Sequence, residues 1–152
     1  MRFLLVDSIL ELEPGVRATG VKNITMSEDF FADHFPHRPI MPGSMIVESM
    51  VQLADWVVRQ ASEFRQLGLA TSFDNLKFRR VLGPGSQLRV EVKVVERGEA
   101  EVKVQGKAYN LDTLVASATF TLSLEPIERY LDPAEARRMF LLLYPDRTEE
   151  AP

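Results

Sequence analysis

The segment SMIVESMVQLADWVVRQASEFRQL, residues 44–67, contains no proline or glycine and predicts one long helix. Pro42 and Gly43 stand just ahead of it, where neither removes a helical hydrogen bond, and Gly68 offers a stop. Its first half is apolar nearly all round, with Met45, Ile46, Val47, Met50, Val51, Leu53 and Ala54. A helix of that kind is buried on most sides rather than laid on a surface. The rest of the chain must therefore enclose it.

The flanking sequence supplies an enclosure. Residues 3–13 read as strand or turn, closed by Glu13-Pro14-Gly15, and VRATGVKNIT follows as a strand. After the helix the period changes to two. Leu88, Val90, Val92 and Val94 alternate with charged residues, as do Val102, Val104, Gly106 and Ala108. Leu114, Ala116, Ala118, Phe120, Leu122 and Leu124 share a third face. Turns around Gly98 and Asp112 join these strands. Half-apolar strands of this kind form antiparallel sheet, which buries the helix if it curves around it. The fold class is therefore α+β, a curved antiparallel sheet wrapped around a long central helix. Residues 1–124 form this body and residues 125–152 a C-terminal helical extension of the same domain. In the extension, Asp132 is placed to cap a helix begun by Pro133, with Ala136, Met139, Phe140 and Leu143 at helical spacing. The end, PDRTEEAP, reads as frayed.

Composition narrows the function. A chain of 152 residues is about one domain, and 45% hydrophobic residues suffice for a core without staples. A net charge of −4 argues against nucleic acid, whose phosphates call for a basic face. The absence of cysteine excludes disulfides, thiolate metal sites and cysteine nucleophiles. MRFLLVDSIL is broken by Asp7 and lacks a cleavage site, and no run approaches the roughly 20 apolar residues of a membrane span. The expectation is a cytoplasmic protein.

Two polar residues stand out against this background. Glu48 carries the only charge between Ser44 and Ala54. Burying an unpaired carboxylate is costly, so such a group stays protonated or finds a partner. It is a candidate acid, or else a group turned to solvent or to a structural hydrogen bond. His34 sits in a loop stiffened by Pro36, Pro39 and Pro42, which holds the imidazole in place. It is a candidate base or a structural donor; nothing selects His37 beside it. Gly43 is either a turn glycine or a gap in the side-chain wall through which a substrate oxygen reaches the free amides of a helix N-terminus. Met41, Met45 and Met50 suit a core, or the flexible lining of an acyl tail.

The stretch HFPHRPIMPGSMIVESMVQ resembles the active-site segment of the β-hydroxyacyl-[acyl-carrier-protein] dehydratases. The pattern is His-Phe-Pro, a proline-containing link, Pro-Gly, then a helix with an acid in its first turns followed by Gln. Here it falls on His34-Phe35-Pro36, Pro39, Pro42-Gly43, Glu48 and Gln52. FLLVDSILELEPG and VKNITMSEDFF upstream, and FDNLKFRRVLGPGSQLRVEV downstream, extend the likeness over about residues 3–124. The chain departs from the pattern at Asp33 and His37, where the family has glycine, and at Ser44 and Ser49. These changes leave His34 and Glu48 in place. Asp33 sets a negative charge beside His34, and the two serines alter the helix surface that would line an acyl tunnel.

The resemblance implies a hot-dog fold and the conversion of β-hydroxyacyl thioesters to trans-2-enoyl thioesters, in fatty-acid or related lipid and polyketide synthesis. It implies His34 as general base, the Gly43 amide as oxyanion donor and Glu48 as the acid that releases the hydroxyl. Glutamate rather than aspartate matches the dehydratase branch rather than its isomerising relatives. Phe35, Pro42, Met45 and Gln52 would border the substrate. Lys77, Arg79 and Arg80 would meet an acidic carrier or its phosphate, or form a solvated strand edge. The implied partner is an acyl carrier protein bearing β-hydroxyacyl phosphopantetheine, or acyl-CoA, with no metal or other cofactor. Two subunits would pair edge to edge as a homodimer or part of a larger oligomer, each site taking its histidine from one chain and its acid from the other. A non-catalytic acyl-thioester-binding protein and an acyl thioesterase are the alternatives on the same fold.

Overall fold

The computed structural model describes residues 3–145. Strands β1 (Ser8–Glu13) and β2 (Arg17–Asn23) form the first hairpin. Helix α1 (Gly43–Ala61) follows the proline-rich loop, and then come β3 (Gln66–Phe78), β4 (Gln87–Arg97), β5 (Glu101–Asn110), β6 (Thr113–Pro126) and α2 (Pro133–Leu143). The six strands form one sheet in the order β1-β2-β4-β5-β6-β3, every neighbouring pair antiparallel. α1 touches all six, so the sheet wraps it as the apolar circumference requires. This is the hot-dog arrangement. No helix among the described residues is long and apolar enough to cross a membrane.

The alternating faces point where their period predicts. Leu88, Val90, Val92, Val102, Val104, Ala108, Ala116, Ala118, Phe120 and Leu122 are all buried, against Ile46, Met50, Leu53, Ala54 and Val57 of α1. Gly106 interrupts the β5 series for a packing reason. A Cβ there would lie 2.7 Å from Met50 Sδ, so the missing side chain lets α1 settle onto the sheet.

The end of α1 differs from the sequence expectation. The helix stops at Ala61 rather than near Leu67, and Gly68 lies inside β3 instead of ending a helix. Glu63 and Phe64 adopt left-handed φ angles of 53° and 62°. The Phe64 N–H donates to Arg59 O at 2.7 Å, and Ser62 Oγ accepts from the Gln66 N–H at 2.9 Å. This reversal buries Phe64 and Leu67 and lets β3 pair with β6. Local helical pattern yields there to tertiary burial.

α2 begins as its sequence predicts. The Asp132 carboxylate accepts from the Ala134 N–H at 2.8 Å, with Pro133 in the first turn. Phe140 packs its ring 5.9 Å from both Trp56 and Phe64 and 5.6 Å from Tyr144. Of the segment PDRTEEAP, residues 146–152 lie outside the described part of the chain.

Candidate active site

The loop that carries His34 is pinned by its own backbone. The His34 N–H donates to Phe30 O and the Ile40 N–H to His34 O, each at 3.0 Å, and the Met41 N–H donates to Leu82 O at 2.7 Å. The peptide bond between His34 and Phe35 is cis. His34 Nδ1 lies 3.0 Å from the Ile40 carbonyl oxygen. A carbonyl oxygen only accepts, so Nδ1 carries a proton and Nε2 is the ring's available acceptor. The half-buried imidazole rests 4.5 Å from the exposed Phe35 ring.

Glu48 is half-buried in the second turn of α1. Its Oε1 accepts from Gln52 Nε2 at 3.1 Å. The same amide is tied to the N-terminal segment, with Nε2 donating to Phe3 O at 2.8 Å and Oε1 accepting from the Leu5 N–H at 2.9 Å. Gln52 thus links the Glu48 carboxyl to the N-terminal segment. Glu48 and Gln52 line a cavity of about 770 Å3 between the N-terminal segment, α1, the start of β3 and α2. His34 is not part of its wall.

Deeper along the same face of α1, Asp55 and Arg59 form an ion pair at 2.5 Å, their side chains only 15% and 14% exposed. Asp55 also accepts from the Gly68 N–H at 2.7 Å, and the Arg59 guanidinium lies 4.5 Å from the Trp56 ring centre. Burial pushes the Asp55 pKa up, opposed by the charge of Arg59 and by the Gly68 and Arg59 hydrogen bonds. Sequence reasoning did not single out these residues. Their charges recur at helical spacing from Glu48, which is the available signal, but only the packing of β3 and α2 turns that stripe into a cavity wall.

Gly43 opens α1, and the N–H groups of Gly43 and Ser44 have no acceptor among the described residues. A Cβ at Gly43 would lie 2.7 Å from the Phe78 ring of β3. Lys77 and Arg79 flank that ring in sequence, and they and Arg80 are exposed. Pro42 and Met45 are half-buried beside the helix start, while Met41 and Met50 are core residues.

Residues 1–119 match the family model described as the FabA-like domain. Among curated proteins, the 3-hydroxyacyl-[acyl-carrier-protein] dehydratase FabZ of Caldanaerobacter subterraneus is 45% identical over 117 residues, covering 76% of this chain and 83% of the relative. The FabZ of Alkaliphilus metalliredigens is 42% identical over 123 residues, 80% of this chain and 84% of that protein. Among solved structures, smu.793 from Streptococcus mutans bound to acetyl CoA superposes with a TM-score of 0.62 at 17% identity, covering 78% of this chain and 88% of that one. A hypothetical thioesterase from Streptococcus pneumoniae with coenzyme A gives 0.62 at 13% identity, with the same two coverages. At those identities the structural likeness is one of fold alone.

Proposed function

This chain belongs to the FabA-like domain family, and from that membership and its site we infer that it dehydrates β-hydroxyacyl thioesters on acyl carrier protein, as its FabZ relatives are named to do. The observation that carries the reading is the setting of Glu48: a carboxyl held by Gln52 in the wall of a largely apolar cavity.

Elimination requires the α-proton to leave, the thioester oxygen to be held as it gains charge, and the β-hydroxyl to depart as water. His34 Nε2 removes the α-proton, while the bond from Nδ1–H to the Ile40 carbonyl supports the ring as it becomes cationic. The Gly43 N–H, at the positive end of α1, receives the enolate oxygen. As the electron pair forms the Cα–Cβ double bond, the C–O bond breaks and Glu48 gives its proton to the departing hydroxyl. The proton on His34 then returns to Glu48 and restores the site.

The acid and base come from two copies of the chain. Two observations support this. His34 is absent from the wall of the cavity that Glu48 lines. β3 is an edge strand whose residues from Leu69 to Phe78 are all exposed, including Phe73 at 44% and Leu76 at 42%. A long apolar edge of that kind calls for a cover. A second copy paired along β3 covers it and brings the partner's His34 toward Glu48. Phe78 leans on Gly43, so Lys77, Arg79 and Arg80 stand at the rim, where the phosphate of an arriving pantetheine arm or an acidic carrier meets them.

The test is to incubate the protein with β-hydroxydecanoyl thioester and follow enoyl absorbance and free thiol together. Enoyl formation is expected, lost by a factor of about 100 or more in His34→Ala and in Glu48→Gln, the span of general acid–base catalysis. Thiol release without enoyl would make the protein a thioesterase, and binding without either product would make it a non-catalytic acyl binder.

A further inference from the structure

One wall of the cavity that Glu48 lines is built by α2, which starts at Pro133, beyond the residues 1–119 that the family model matches. We propose that α2 closes the acyl-tail chamber of this site and sets the length of acyl chain the protein accepts, with Met139 and Leu142 as the deciding residues. The inference rests on the dehydratase reading given above.

The course of the chamber follows from α1. Glu48, Gln52, Asp55 and Arg59 lie along one helical stripe of the cavity wall. From Glu48 to Arg59 an α-helix rises about 16 Å. An acyl tail that leaves the reacting carbons beside Glu48 and follows this stripe meets Val51 and Trp56, and then the Asp55–Arg59 pair. That pair bonds to itself and to the Gly68 N–H, leaving the buried Arg59 Nε without a partner among the described residues, and its charges offer a hydrocarbon end nothing.

α2 adds Ala136, Met139, Leu142 and Leu143 to the wall, with the exposed Glu135 and Arg138 beside them. Met139 is half-buried, whereas Leu142 is 76% exposed although it borders the cavity. Such a leucine gains burial when hydrocarbon lies against it, and each methylene taken out of water is worth about fourfold in an equilibrium constant. Continuity with Glu48 identifies the occupant as the tail of the same thioester.

The wall is also held firmly. Phe140 is wedged among Trp56, Phe64 and Tyr144. Arg137 donates to Glu63 O at 3.0 Å, and Ser8 Oγ donates to Leu143 O at 3.5 Å. A wall tied to the helix end, the reversal after it and β1 does not retreat to admit a longer tail.

Two substitutions of opposite sense test this. Leu142→Trp thickens the wall at an exposed position that the core does not depend on, and Met139→Ala thins it. The readout is kcat/KM for the β-hydroxydodecanoyl pantetheine thioester divided by that for β-hydroxybutyryl. Exclusion of two or more methylenes predicts that this ratio falls about tenfold or more in Leu142→Trp, and it is expected to rise in Met139→Ala. A ratio within twofold of wild type in both variants, with turnover retained, overturns the role of α2 and leaves the dehydratase reading standing. Loss of both substrates in equal proportion in both variants overturns it as well, since α2 would then support the site without selecting length. A wild-type protein that dehydrates neither thioester overturns the dehydratase reading, and this inference with it.

Discussion

Asp55 stands about two helical turns from Glu48 and takes no part in the proposed chemistry, yet burial shifts its ionisation. The folded chain holds the Asp55 proton more tightly than the unfolded chain, because burial outweighs the help of Arg59 and the Gly68 N–H. Its contribution to stability is thus full below the ordinary carboxylate value and declines as pH rises through the raised one. Each tenfold difference in proton affinity between the folded and unfolded chains is worth about 1.4 kcal/mol of that decline. Asn keeps an acceptor for the Gly68 N–H but cannot ionise. In urea titrations from pH 4 to 8, Asp55→Asn is therefore expected to lack this decline, its stability relative to wild type improving as pH rises. Arg59→Met, which removes the largest opposing influence, is expected to steepen the decline. Parallel curves for wild type and Asp55→Asn would show that the buried pair carries no net penalty.

At the scale of elements, α1 and β5 meet at a contact that leaves no spare volume. Gly106→Ala puts a methyl group against Met50, a fully buried side chain, and overpacking of this kind costs about 1–3 kcal/mol. Urea denaturation of Gly106→Ala, Met50→Ala and the double variant should show a double loss smaller than the sum of the two single ones; strict additivity would place the strain elsewhere. The same contact shows what was legible in the sequence. The alternation through Val102, Val104, Gly106 and Ala108 placed the β5 face correctly, and Asp132-Pro133 marked the start of α2, because caps and periods are local signals. The end of α1 was misplaced because Phe64 and Leu67 bury themselves by a reversal that the uninterrupted helical pattern does not reveal. β3 went unread from its own residues, since an edge strand exposed on one chain shows no clean inside and outside. His34 and Glu48 were visible through a motif. Asp55, Arg59 and the contribution of α2 were not, because a cavity formed by segments far apart in sequence exists only after folding.

For the molecule as a whole, the proposed division of each site between two chains has an arithmetic test. His34→Ala still carries Glu48, and Glu48→Gln still carries His34. If the inactive variants are mixed in equal amounts and allowed to exchange subunits, half of the pairs are mixed, and each mixed pair holds one intact site and one doubly damaged site. Recovery of about a quarter of wild-type activity is expected from this symmetry. A mixture as inactive as its parts would place acid and base within one chain. The enclosure of α1 has a further consequence. Its carboxyl rides on the most deeply anchored element of the fold, while the cavity wall beyond α1 comes from the N-terminal segment, the start of β3 and α2. On the proposed role of α2, part of the selectivity lies outside the helix that carries the reacting carboxyl. Descendants of this sequence have latitude to change which lipids they handle by drift at the periphery, with the central machinery inherited unaltered.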